Sequence, residues 1–235
     1  MRPPAYLVFG LWLLIAGIPL VAQTKYNLLE YIPNQLGDSL VFENFAGGTA
    51  QALTVAWPDT QLFKKQITLK RTESSGAFRL ETIDAQQGWQ IYLLAPSSRR
   101  EFLFENPLQL LPALVEHGAS YTGETTYAHI LDGRKQGSGK IRFVVTVQGH
   151  DSSKTPLQSF GDCLVISTLV ERTDPDGRRS GYELKEWYAR NFGLVKMAGD
   201  AFNLDAKNTR TQIVKAAAMV KKAKINGIAY KWDTP

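Results

Sequence analysis

The sequence predicts a mainly β protein, either a strongly curved antiparallel sheet or an open barrel, which ends in a helix or a further strand. Apolar and polar residues alternate over several separate stretches, as they do in strands with one buried face. Turn sequences such as Asp132-Gly133 and the Asp-Pro-Asp-Gly run at 174–177 separate these stretches. Cys163 is the single cysteine, so no intramolecular disulfide forms and a hydrophobic core must hold the strands together.

The chain opens with the layout of a secretory signal peptide at residues 1–22. One positive charge, Arg2, precedes an uncharged apolar run over residues 5–22, and Pro19 lies shortly before the expected cleavage point. We therefore expect export, with the mature chain starting at Gln23 in the periplasm. An uncleaved N-terminal membrane anchor is the alternative, because this run is close to the minimum length of a membrane span.

The alternating stretches predict one antiparallel domain at residues 23–205, with about ten strands. In chain order, the stretches lie at residues 52–57, 66–70, 78–82, 89–93 and 141–147, and residues 161–173 read as a central strand because both of their faces are apolar. In each stretch the apolar face is expected to be buried and the polar face to be wet. Leu80 is therefore expected to point inward, whereas Arg79 and Glu81 are expected to face solvent.

Two later segments depart from the alternation. Residues 107–115 are apolar but contain two prolines, so we expect them to lie across the sheet as a lid. Residues 206–235 carry seven Lys or Arg against one acid, Asp233, and are expected to pack on the same domain. Within this basic segment, the alanine- and lysine-rich residues 209–224 favour a helix, although their β-branched start is also compatible with a strand.

Residues that could carry catalysis are few and scattered. His117, His129 and His150 lie singly in different stretches, and no metal-binding spacing is present. The run at 150–153 contains the residue types of a hydrolase triad, but contiguous side chains cannot converge on one reacting atom. We therefore expect a protein that is not an enzyme and that needs no cofactor or metal. A hydrolase would require a cleft in which one of these histidines meets an acid and a hydroxyl group.

Large aromatic residues on the alternating stretches are the candidate ligand contacts. Each one taken alone is most simply explained as part of the core. Together, however, many large inward residues on a curved antiparallel sheet can line an apolar cavity at its mouth. We expect an apolar small molecule, such as a lipid or an acyl chain, to bind there. The candidates are Trp57, Trp89, Phe102, Phe104, Phe143 and Trp187.

Three lysines of the basic segment form a second candidate contact: Lys221, Lys222 and Lys224. Such a cluster attracts anionic membrane surfaces, although many soluble proteins carry one simply as a solvated face. The alternative function is therefore a structural or adapter protein of the envelope, docking a protein or membrane partner through a sheet edge or this segment. Nucleic acid is not expected as a partner, because an exported protein rarely meets it.

Several spaced motifs lie between residues 105 and 200. They are Phe-x-x-Cys at 160–163, Trp-Tyr-Ala at 187–189 and Gly-Leu-Val-Lys at 193–196, preceded by Leu-Leu-Pro at 110–112 and Gly-Ala-Ser-Tyr at 118–121. In this pattern the region resembles exported bacterial β-rich domains of unknown function, in which a tryptophan is common where Tyr121 stands. The resemblance implies a curved half-barrel of the kind seen in the periplasmic lipoprotein carriers LolA and LolB. It implies no activity, because none is established for that family.

Overall fold

The computed structural model describes residues 24–32, 35–44 and 51–231, which fold almost entirely into β-strands around a single 3-10 turn at Leu28–Glu30. The predicted signal peptide, residues 1–22, lies outside the described residues. No helix in the described part of the chain is long and apolar enough to cross a membrane. The described strands are β1 (Lys25–Asn27), β2 (Ser39–Asn44), β3 (Gln51–Phe63), β4 (Gln66–Glu73), β5 (Phe78–Asp84), β6 (Gly88–Ser97), β7 (Arg100–Leu111), β8 (Leu114–Glu116), β9 (Ser120–Leu131), β10 (Arg134–Lys154), β11 (Ser159–Thr173), β12 (Arg179–Ala189), β13 (Gly193–Leu204), β14 (Arg210–Ile225) and β15 (Ile228–Lys231).

Twelve of these strands form one closed antiparallel barrel. From β2 to β14, each barrel strand pairs with the next one along the chain, and only the short β8 is passed over. β14 closes the ring because its residues 210–219 pair with β13 and its residues 218–224 pair with β2. The predicted mainly antiparallel, strongly curved fold is confirmed, and the barrel is closed rather than open.

The helix expected within residues 209–224 is wrong, because these residues form strand β14. Without this strand, β13 and β2 would each present a row of unpaired backbone groups, which natural sheets avoid. The β-branched pair Ile213 and Val214 suits a strand, whereas the alanines that follow favour a helix only weakly and by local propensity. Pairing on both sides of β14 therefore overrides the helical preference.

The prediction that residues 107–115 lie across the sheet as a lid is also wrong. This segment completes β7 and enters β8, and Leu108, Leu111 and Val115 are buried in the core. Pro107 is tolerated because it falls in an irregularity of the β6–β7 ladder, at a level where β7 no longer pairs with β9. The apolar character of the segment thus reflects burial within the barrel wall.

The alternating connections define two ends of the barrel. One end, here called the mouth, carries the connections at residues 74–77, 98–99, 132–133, 174–178 and 205–209. The opposite end, here called the base, is covered by residues 24–32. Strand β1 pairs there with β8, the backbone N–H of Leu28 donates to the carbonyl of Ala113, and Tyr26, Leu28 and Tyr31 are buried. The hydrophobic core is therefore closed at the base.

Candidate ligand-binding cavity

The barrel contains a cavity of about 560 Å³ that is open at the mouth. Ala77, Pro96, Ser180 and Asn203 line it beside the mouth connections, and its walls come from β4 to β7 on one side and from β10 to β14 on the other. This volume falls within the range of about 300–1,000 Å³ that is usual for small-molecule sites.

The alternation of the strands builds an apolar wall inside the cavity. On β10, Ile141 and Phe143 point inward, and on β11 Val170 does the same. These side chains are buried in the main core, as are Trp89 and Ile91 of β6 and Phe102 and Leu110 of β7. The apolar lining also includes Trp89, Ile91, Leu94, Phe102, Leu184, Met197 and Phe202. Such a surface favours contact with a hydrocarbon over contact with water.

Half of the predicted aromatic contacts lie on this cavity, namely Trp89, Phe102 and Phe143. Trp57 and Phe104 are buried in the surrounding core without lining the cavity. Their part in ligand binding stays a prediction.

Trp187 is also buried in this core, and it makes several polar contacts. Its indole N–H donates to Oδ2 of Asp151 at 3.2 Å. The ammonium groups of Lys185 and Lys196 lie 5.0 and 4.4 Å from its ring centroid. Hydrogen bonding and cation–π contacts therefore account for this tryptophan, and it does not line the cavity.

The expected inward and outward faces of β5 are reversed. Leu80 packs in a small cluster with Tyr92 and Leu93, separate from the main core, whereas Arg79 lines the cavity and Glu81 bonds to core tryptophans. The cluster also receives Phe63 from the β3–β4 hairpin, which covers this part of the sheet. Because both faces of β5 are covered, the apolar side need not be the inner one.

Glu81 is fully buried and bonded on all sides. Its two carboxylate oxygens accept the indole N–H groups of Trp57 and Trp89, each at 3.0 Å, and Nε of Arg79 lies 2.7 Å away. Burial alone would raise the pKa of Glu81, but the charges of Arg79 and Arg71 and the two indole hydrogen bonds hold it below its ordinary value. Glu81 is therefore a charged carboxylate with no free side for a ligand.

Arg71 and Arg79 stand directly opposite each other on β4 and β5, and both line the cavity. The Arg79 guanidinium lies over the Trp89 ring, 5.0 Å from its centroid. Arg71 is only 8% exposed, and its nearest carboxylate, Glu73, is 3.6 Å away, beyond hydrogen-bond distance. The cavity therefore holds two neighbouring cations, and the nearest carboxylate to Arg71 lies beyond hydrogen-bond distance.

Glu186 reaches into the cavity from β12 and is buried. The Tyr188 hydroxyl donates a hydrogen bond to it. Burial raises the pKa of Glu186 above its ordinary value, and the attraction of Arg79 and Arg71 offsets this only in part. The cavity that holds the two arginines thus also contains a carboxyl group with an increased preference for its neutral form.

A further arginine lies nearer the mouth. Nε of Arg172 is 2.8 Å from Oδ1 of Asp174, and the Tyr127 hydroxyl donates to the same oxygen at 2.8 Å. The Arg172 guanidinium also lies over the ring of Phe102, at 4.5 Å. This arginine, unlike Arg71, already has a close carboxylate partner.

At the base, a histidine does meet an acid and a hydroxyl group. Nδ1 of His150 lies 3.0 Å from Asp162, and Nε2 lies 2.9 Å from the Tyr31 hydroxyl, which also accepts two N–H groups of Arg190 at 3.2 and 2.8 Å. Arg190 makes a further ion pair with Glu30 at 3.2 Å. The Tyr31 side chain is fully buried, and none of these residues lines the barrel cavity. We interpret the cluster as the attachment of residues 24–32 to the base.

The three candidate lysines lie on β14 with different surroundings. Lys222 and Lys224 are exposed, whereas Lys221 is half-buried and lies 3.9 Å from Glu43. A register shift between Val220 and Lys222 separates Lys221 from the regular alternation. Their contact with an anionic surface stays a prediction.

Metal-ligating side chains and the Cys163 thiol are two further kinds of group that can carry chemistry. Within the described residues, no group of three or more His, Cys, Asp or Glu is arranged to hold a metal ion. Cys163 is buried, and this burial raises the pKa of its thiol to about 11. A thiol with so high a pKa carries little thiolate at neutral pH.

Comparisons with known proteins add no assignment. No protein-family model and no curated protein matches the chain. The chain is similar to the crystal structure of a "putative lipoprotein" from Parabacteroides distasonis ATCC 8503, with a TM-score of 0.48, 13% identity, and coverage of 82% of this chain and 97% of that one. It is also similar to a "putative exported protein with YmcC-like fold" from Bacteroides fragilis NCTC 9343, with a TM-score of 0.47, 12% identity, and coverage of 83% and 98%. Similarities at this level support no inference about function.

Proposed function

We propose that this chain is an exported protein of the bacterial cell envelope that binds an apolar ligand, such as a lipid or an acyl chain, inside its barrel and does not act as an enzyme. The observation that carries the proposal is the cavity of about 560 Å³, open at the mouth, lined by apolar side chains and closed at the base. Protein interiors are normally packed as densely as organic crystals. Binding of a ligand would therefore explain why the barrel contains an unfilled space of this size.

The direction of access supports uptake from one side. Residues 24–32 cover the base, while the cavity is lined at its open end by Pro96, Ser180 and Asn203, next to the mouth connections. A ligand would enter at the mouth and displace water from the apolar wall, which is favourable in proportion to the area covered. The signal-peptide layout of residues 1–22 supports the proposed export to the periplasm.

The ligand proposal is tested on protein purified from the periplasm without detergent. Organic extraction and mass spectrometry should recover a lipid-like molecule at near one mole per mole of protein. Ala201→Phe adds a large ring to the lining and should reduce this yield severalfold, whereas Ala229→Phe, at an exposed position on β15, should not. Recovery of no ligand, followed by failure of the purified protein to bind any added amphiphile, would refute the proposal.

An envelope adapter that docks on an anionic membrane is the second candidate. Lys222 and Lys224 are exposed on β14, and the pairing with β15 places Lys231 directly opposite Lys222. Lysines near an anionic surface contribute about 1 kcal/mol each, less at high salt. The mature protein should then sediment with anionic vesicles at low salt, and Lys222→Glu with Lys224→Glu should abolish this, whereas the exposed Lys135→Glu should not. Equal sedimentation of all three proteins would contradict docking by these lysines.

A further inference from the structure

We infer that the ligand is a single-chain amphiphile with one anionic oxygen head group, a carboxylate or a phosphate, held by Arg71 and Arg79 within the barrel. This inference rests on the proposed function and adds the chemical class of the ligand. It depends on the charges inside the cavity, which an apolar ligand alone leaves unexplained.

The first observation is the state of Arg71. A guanidinium carries five N–H donors, and burying such a group without hydrogen bonds is costly. Arg71 is more than nine-tenths buried and lines the cavity, and within the described structure its one close polar contact is Glu73 at 3.6 Å. Arg71 therefore lies at the wall of the cavity without a hydrogen-bond partner among the described residues, where a ligand can accept from it.

The second observation is the pairing of like charges. Arg71 and Arg79 are direct partners in the β4–β5 register, and like charges at such positions destabilise a sheet. Glu81 compensates Arg79, from which it is 2.7 Å away, but its oxygens are already taken by the two indole N–H groups. One anion placed between the arginines would relieve the remaining repulsion.

The third observation concerns Glu186, a further carboxyl group of the cavity lining besides Glu73. It faces Arg71 on β4 and Arg79 on β5, and it is bonded to Tyr188 on its own strand. Burial raises its pKa above the ordinary glutamate value, which weakens its compensation of the two arginines.

The shape of the site fixes the rest of the ligand. Guanidinium groups bind carboxylate and phosphate oxygens through two parallel N–H contacts, which gives both affinity and orientation. From Arg79, the lining continues through Trp89 and Ile91 to the apolar wall of β10 and β11. A head group at the arginines with a hydrocarbon tail along this wall fits both halves of the lining, whereas a cationic head group would meet two like charges.

The test compares four amphiphiles with the same tail: dodecanoic acid, dodecyl phosphate, dodecan-1-ol and dodecylamine. Binding to the delipidated protein is followed by tryptophan fluorescence, since Trp89 lines the cavity. We expect the acid or the phosphate to bind at least about tenfold more tightly than the alcohol, as a charged hydrogen bond implies, and the amine to bind most weakly. The order of acid and phosphate identifies which oxyanion is preferred.

Variants at Arg71 test whether this arginine causes the preference for an anionic head group. Arg71→Gln should remove the advantage of the acid or phosphate over the alcohol while the alcohol still binds, and Arg134→Gln, at an exposed position on β10, should change neither. If Arg71→Gln does not fold, Arg71→Lys keeps the charge without the planar fork and should reduce the advantage in part.

The outcomes distinguish the inference about the head group from the proposed function on which it rests. Equal affinity for acid, phosphate and alcohol, or a preference for the amine, would show that the arginines form only an internal ion cluster, and the apolar-ligand function would stand without this head group. Absence of binding by all four amphiphiles would instead remove the proposed function itself.

Discussion

Glu81 is the residue on which the polar interior depends most. It is buried on β5 and bonds to Trp57, Trp89 and Arg79, which come from three different strands. Removing one partner of a buried ion pair leaves the other charge uncompensated. The consequence is that this carboxylate links the three strands through buried polar contacts.

Glu81→Gln should therefore destabilise the protein strongly. The amide keeps the shape but not the charge, so Arg79 remains buried without its counter-ion, at a cost of about 3–5 kcal/mol. Denaturant unfolding at neutral pH measures this loss. Glu124→Gln, at an exposed position on β9, is the matched control and should change stability by less than about 0.5 kcal/mol. Equal stability of the two variants would contradict the role given to Glu81.

The same residue predicts a dependence of stability on pH. Because the pKa of Glu81 is lower in the folded protein, the folded state binds this proton less readily than the unfolded chain does. Its contribution is fully present above the ordinary glutamate pKa and is lost as the pH falls through the lower, folded value. Unfolding free energies measured from neutral pH downward should thus fall less steeply in acid for Glu81→Gln than for the native protein. Parallel curves would be the contrary result.

At the scale of elements, the barrel is completed by two segments from the ends of the described chain. β14 closes the ring between β13 and β2, and residues 24–32 cover the base. The base is fastened by the Tyr31 hydroxyl, which joins Arg190 and His150. This attachment accounts for the contact of a histidine, an acid and a hydroxyl at this position.

Tyr31→Phe tests this attachment. It keeps the buried ring and removes the hydroxyl, so Arg190 and His150 lose a shared partner, and we expect a loss of about 1–3 kcal/mol. Hydrogen exchange should become faster at the amides of Leu28 and Asn191, which bond the segment to its neighbours. Tyr230→Phe provides the control. Unchanged exchange at both amides in Tyr31→Phe would show that the segment is held by packing alone.

Sequence alternation predicts the elements well where each strand has one covered face. The inward positions of Ile141 and Phe143 follow directly from it, and both residues line the cavity. Alternation fails on β5, because the β3–β4 hairpin covers the outer face and allows Leu80 to be buried outside while Arg79 points inward. No local pattern in the sequence indicates that a second layer covers the outer face of β5.

For the molecule as a whole, the mainly β fold and its curvature were predictable, but the charged interior was not. The β4–β5 pairing brings Arg71, Arg79 and Glu81 together, whereas the closed ring is needed to add Glu186 from β12. Three of the six aromatic candidates line the cavity and three do not, since large apolar side chains occupy a core wherever they lie. The polar partners that would orient a ligand depend on strand register, which the sequence does not reveal.

The most direct measurement is a crystal structure of the protein grown with dodecanoic acid. The ligand should lie inside the barrel, with its carboxylate within about 3 Å of the Arg71 and Arg79 guanidinium groups and its tail along Phe143 and Val170. An empty cavity at saturating acid, or an acid bound only on the outside of the barrel, would contradict the proposal that this barrel is a binding site.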